Sequence, residues 1–75
     1  MQIRIDKPYL WIPTDKHERE EKLHFYLDGE KIHEADIRLG TKEKGYMTFM
    51  DLHKYLGKTV EIQCGSEEKL QELFC

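Results

Sequence analysis

Apolar residues recur at every second position in short runs along this chain, and polar turns separate the runs. "QIRID" (2–6) alternates around Ile3 and Ile5 and predicts a short strand with both isoleucines inward. Lys7-Pro8 interrupts it, because proline donates no ladder hydrogen bond and restricts the residue before it. "YLWIP" (9–13) resumes an extended path, with Leu10 and Ile12 on one face and Tyr9 and Trp11 on the other. "TDKHEREEK" (14–22) is dense in charge and predicts a mobile, solvated loop.

Residues 22–28 set Leu23, Phe25 and Leu27 inward and His24 and Tyr26 outward. Asp28-Gly29 follows, and this dipeptide suits a type I′ turn, which needs positive φ at both central residues. Such a hairpin pairs Leu27 with Glu30, Tyr26 with Lys31, Phe25 with Ile32 and His24 with His33. On the returning strand Ile32 has one parity, whereas Ala35, Ile37 and Leu39 have the other. One extra residue near His33-Glu34 turns all of them inward, which predicts a β-bulge there.

Beyond a polar connection at 40–45, "YMTFMDL" (46–52) reads as a strand. It ends at Asp51, whose carboxylate can accept N–H groups of the compact turn that follows. "KTVEIQC" (58–64) alternates cleanly, with Val60, Ile62 and Cys64 inward. Ser66 is placed to cap a short helix whose apolar edge is Leu70, Leu73 and Phe74. Strands joined by polar turns, without helices between them, predict an all-β fold: a small antiparallel β-sandwich, jelly-roll-like, with a short C-terminal helix. Residues 1–65 form the sandwich and 66–75 the short helix or a linker.

Length limits the core. Seventy-five residues make one small domain, which buries about 60–65% of its unfolded surface and is marginally stable without a partner. Charged residues, at 36%, nearly equal the hydrophobic 39%, so the core is thin and one-sided. The net charge of −3 arises from 12 basic and 15 acidic residues that are interspersed. No basic cluster is available to displace counterions, so neither nucleic acid nor an anionic membrane is an expected partner. The N-terminus has no signal-peptide pattern and no apolar run is long enough for a membrane span. Two cysteines, Cys64 and Cys75, are too few for a disulfide framework. They read as free thiols in a reducing compartment, the cytoplasm.

Candidate chemistry changes this picture little. His24 and His33 could lie side by side on the hairpin, but zinc needs a third or fourth ligand and Cys64 points the other way. No cofactor is expected. No G-x-S-x-G segment or Gly-rich phosphate loop occurs, and a thiol in apolar surroundings is a poor nucleophile. The carboxylate runs "EREE" and "SEEK" read as solvated surface, so the chain is not expected to be an enzyme. Aromatic rings are the better candidates. Tyr9, Trp11 and Tyr26 can anchor a protein interface or stack on the apolar face of a sugar, and Trp11 can equally complete the core.

Three segments, "KPYLWIP", "KLHFYLDGEKIHEADIRLG" and "YMTFMDLHKYLGKTVEIQ", together resemble a known pattern. It is that of the small N-terminal β-domain preceding the catalytic propeller in bacterial glycoside hydrolase family 32 proteins, the levanase, fructan hydrolase and sucrose hydrolase relatives. The resemblance is carried by Tyr9-Leu10 with Pro13, Asp28-Gly29, Ala35-Asp36-Ile37 with Leu39, Asp51, and Gly57-Lys58. The resemblance implies a non-catalytic accessory domain that packs against the propeller of the same polypeptide, with 66–75 leading toward that domain. The family's Trp-Met-Asn-Asp-Pro-Asn-Gly segment is missing from these residues, so no catalytic residue carries over. Two other readings stand beside it. One is a carbohydrate-binding module using Tyr26 or Trp11. The other is a free-standing protein-interaction module that extends a partner's sheet through the edge at 2–6.

Overall fold

A computed structural model describes all residues, Met1 to Cys75. The chain forms six strands: β1 (Gln2–Arg4), β2 (Tyr9–Thr14), β3 (Glu20–Leu27), β4 (Glu30–Arg38), β5 (Tyr46–Asp51) and β6 (Thr59–Gln63). Four of them make a sheet in the order β1-β6-β3-β4, and β2 pairs with β5 in a two-stranded ribbon. Every pairing is antiparallel. The all-β reading therefore holds. No helix is long and apolar enough to cross a membrane.

Period-two alternation builds the core as the sequence predicts. Leu10 and Ile12 of the ribbon meet Leu23, Phe25, Val60 and Ile62 of the larger sheet, with Ile5, Leu39 and Leu52 closing the cluster. All of these are buried, and each removes apolar surface from water worth about 1.5–3 kcal/mol. The hairpin turn has the expected backbone, with φ of 52° at Asp28 and 81° at Gly29.

The bulge falls earlier than expected. Tyr26 faces Lys31 and Leu27 faces Glu30, but Phe25 already faces His33, so Ile32 is the extra residue. Placing the slip beside the turn lets Ile32 pack against the core while Leu23 opposes Ala35. The expected His24–His33 pairing is consequently lost. His24 opposes Glu34 on the outer face, while His33 lies against the Phe25 ring, with centroids 5.8 Å apart.

Two further segments differ from the sequence reading. Residues 14–22 are not a solvated loop: Thr14 and Asp15 are buried, and β3 begins at Glu20. Asp15 Oδ1 accepts the His17 N–H at 2.9 Å, Arg38 Nη1 donates to the Glu18 carbonyl at 2.6 Å, and Lys69 Nζ bonds Glu18 Oε1 at 2.6 Å. Charge density here marks a short turn tied down from two sides. The C-terminal helix is only a 3-10 turn, Glu67–Glu72, and Ser66 makes no capping bond to it. Leu70 and Leu73 enter the core, but Phe74 does not. Six residues are too few to hold an α-helix alone, so burial of two leucines decides the geometry.

Candidate functional site

Alternation on β2 turns Tyr9 and Trp11 away from Leu10 and Ile12, as expected. Direct cross-strand partners share a face, so Phe49 joins Trp11 on the outer side of the ribbon, and Met47 lies opposite Pro13, which is itself buried. The chain end adds a third member. Phe74 forms an isolated antiparallel bridge with Trp11, which places Phe74, Trp11 and Phe49 in one row across three backbone segments.

The rings of Tyr9, Trp11 and Phe49 touch. Phe49 sits 5.1 Å from Tyr9 in an edge-on arrangement and 5.5 Å from Trp11 at a 60° tilt. Lys42 Nζ lies 4.9 Å from the centre of the Phe74 ring, a cation–π contact at the rim. Phe49 is 56% exposed, Tyr9 44% and Phe74 40%, and with half-buried Trp11 they share the outer face. Isolated exposed aromatics are ordinary, whereas three packed rings with a fourth bridged onto the same face are an interface feature. Phe49 was not singled out in the sequence, and Phe74 was expected on one apolar edge with Leu70 and Leu73, which instead are buried in the core. The partner of Trp11 across the ribbon could be found only by fixing the β2–β5 register, and nothing local specifies it.

Tyr26 lies elsewhere. It belongs to the outer face of the larger sheet, in a row that runs Gln2, Glu61, Tyr26, Lys31 across all four strands. Its ring stacks loosely on His24, with centroids 6.5 Å apart. It edges a shallow polar cleft of about 550 Å³ with Gln2, Asp28, Gly29, Thr59, Glu61 and Gln63. The structure thus joins Tyr9 to Trp11 and separates Tyr26 from both.

Titratable groups follow their surroundings. Hydrogen bonding from Lys31 at 2.7 Å holds the Glu34 carboxyl below its ordinary value, with Lys22 and His24 adding to the effect. The Asp51 carboxyl is lowered by the His53 N–H at 3.0 Å and the His53 ring nitrogen at 2.8 Å, the corner interaction expected of this residue. Burial pushes the Cys64 thiol up, which makes it a poor nucleophile at neutral pH. Both cysteines are free thiols. No group of three or more His, Cys, Asp or Glu side chains is placed to hold a metal ion. Comparison with family models, with curated proteins and with solved structures finds no match to this chain.

Proposed function

We propose that this chain is a non-catalytic accessory domain that docks through the outer face of its β2–β5 ribbon against a larger domain of the same polypeptide. The observation that carries this reading is the packed cluster of Tyr9, Trp11 and Phe49, with Phe74 bridged to Trp11 through the backbone on the same face. A thin domain with an aromatic face gains most by covering it, since aromatic anchors dominate the energy of protein interfaces. The nature of the larger domain rests on the sequence pattern. Resemblance to the N-terminal β-domain of glycoside hydrolase family 32 proteins makes it a catalytic propeller acting on fructan or sucrose. Free Cys64 and Cys75 suit a cytoplasmic protein.

The rings of the row meet at steep angles, 70° and 60°, so they form a knobbed surface that interlocks with side chains rather than a flat platform. A second reading, a carbohydrate-binding module, draws instead on Tyr26, whose ring is edged by two amides, two carboxyls and a hydroxyl. That is chemistry suited to a sugar.

Phe49→Ala separates the readings. In the isolated domain it costs about 1 kcal/mol, the worth of the ring's contacts with Tyr9 and Trp11. In the polypeptide that includes the propeller it weakens docking by about 2 kcal/mol, read as earlier unfolding of this domain. An identical small effect in both settings rejects the docking face. Perturbation of Tyr26 amide and ring signals by millimolar fructan oligosaccharides, with the ribbon signals unmoved, establishes the carbohydrate reading instead.

A further inference from the structure

β5 pairs with β2 alone, and the register of that pair decides where its second edge points. In an antiparallel ladder, opposed pairs alternate between exchanging both backbone hydrogen bonds and exchanging none. Trp11 uses its N–H and C=O on Phe74, at 2.6 and 3.2 Å, and the Pro13 carbonyl accepts the Gly40 N–H at 3.0 Å. Both residues therefore direct their polar groups away from β5. It follows that Trp11–Phe49 and Pro13–Met47 are the non-bonded pairs of the ribbon. The N–H and C=O groups of Met47 and Phe49 then point out from the open side of β5.

The other sheet edges are guarded or short. β4 carries Glu30, Lys31, Glu34, Asp36 and Arg38 along its length and a bulge at Ile32. β1 has only three residues, so the edge at 2–6 offers little to a partner. β5 reads "YMTFMD": good strand formers, with a single charge at the far end. An unguarded edge of this kind is a template for another strand.

We propose that β5 is a self-pairing edge: a second copy of this chain adds its own β5 antiparallel, about a two-fold axis at Thr48. The strand is self-complementary in that register. Met47 opposes Phe49 of the second copy, and this pair exchanges both of its outward backbone hydrogen bonds, as does its symmetry mate. Tyr46 opposes Met50, and Thr48 opposes its counterpart. Asp51, the one charge, falls beyond the pairing, so no like charges are opposed. Two ribbons become one continuous sheet. The pairing uses only backbone groups of β5 and leaves Tyr9, Trp11 and Phe74 untouched; Phe49 is shared with the docking row through its side chain alone.

Sedimentation equilibrium and amide exchange on the 75-residue chain test it, from about 10 µM to about 1 mM, the range in which a small interface associates. The average mass rises toward twice the monomer value. Exchange of the Met47 and Phe49 amides slows by about tenfold or more across that range, whereas Thr48, already bonded to Ile12, does not change. Met47→Pro removes an outward donor without touching the ladder to β2, and Met47→Lys places a charge on the edge. Both stay monomeric, with dispersed amide signals showing that the fold is kept. If Met47→Pro does not fold, Met47→Lys decides. A monomer at every concentration overturns the proposal. So does a dimer in which Met47 and Phe49 exchange as fast as in the monomer, or one that survives Met47→Lys.

Discussion

Trp11 and Phe74 exchange both of their backbone hydrogen bonds, the Trp11 N–H donating at 2.6 Å and the Phe74 N–H at 3.2 Å. This bridge fastens the end of the chain to the free side of β2 and brings a third ring to the outer face. It also fixes which residues of β5 can bond outward. Phe74→Pro deletes one donor of the bridge and lowers stability by about 1 kcal/mol. Phe74→Ala keeps both bonds and has a smaller effect. Urea unfolding of the two variants distinguishes the backbone contribution from that of the ring.

Leu70 is fully buried although it lies in a turn of only six residues. Leu70→Ala should lower stability by about 2–4 kcal/mol, as for other core leucines. Chemical denaturation measures it. An effect under about 0.5 kcal/mol, typical of a surface site, would mean that residues 67–72 are a detachable tail.

Gly45 combines a φ of 88° with a close approach to β2, where an added Cβ would run into the Thr14 carbonyl oxygen. Gly45→Ala therefore meets both a backbone penalty and a collision, and is expected to cost about 2 kcal/mol or more. Gly29 has a similar φ but open space around it. Gly29→Ala should cost only about 1 kcal/mol. The order of the two thermal midpoints checks the assignment.

Acid weakens the fold through lowered carboxyls. Asp51 ionises more readily in the folded chain than its ordinary value of 3.8, because the His53 N–H and ring bond the charged form. A lowered folded value means that this contribution is complete above the unfolded value and is lost as pH falls through the folded one. Glu34, held by Lys31, acts in the same direction. Asp51→Asn still offers an oxygen to the turn but no longer titrates, so its stability should fall less steeply below about pH 4 than that of the wild type. Parallel acid profiles would remove Asp51 from the account.

Much of the fold was written locally. A turn that needs positive φ asks for Asp-Gly or a close equivalent, and 28–29 supplies it. Alternation placed Leu10, Ile12, Leu23, Phe25, Val60 and Ile62 inward, because on a strand of period two burial of one residue settles its neighbours. The need for a bulge on β4 was also readable as a parity conflict between Ile32 and Ala35. Its position was not, since taking either Ile32 or His33 as the extra residue satisfies the parity and only packing beneath the sheet selects one.

Sequence alone thus determined the strands apart from the segment 14–22, the hairpin and the outward direction of Tyr9, Trp11 and Tyr26, all consequences of short-range backbone geometry. Tertiary structure decided which of those rings are neighbours. Phe49 and Phe74 join Trp11 because distant segments, far apart in the chain, settle into one register and one bridge. Burial of Leu70 and Leu73 converts an expected helix into a 3-10 turn that carries Phe74 to β2. Such pairings depend on how the two layers close over a shared core, a property of the whole chain that no local window contains.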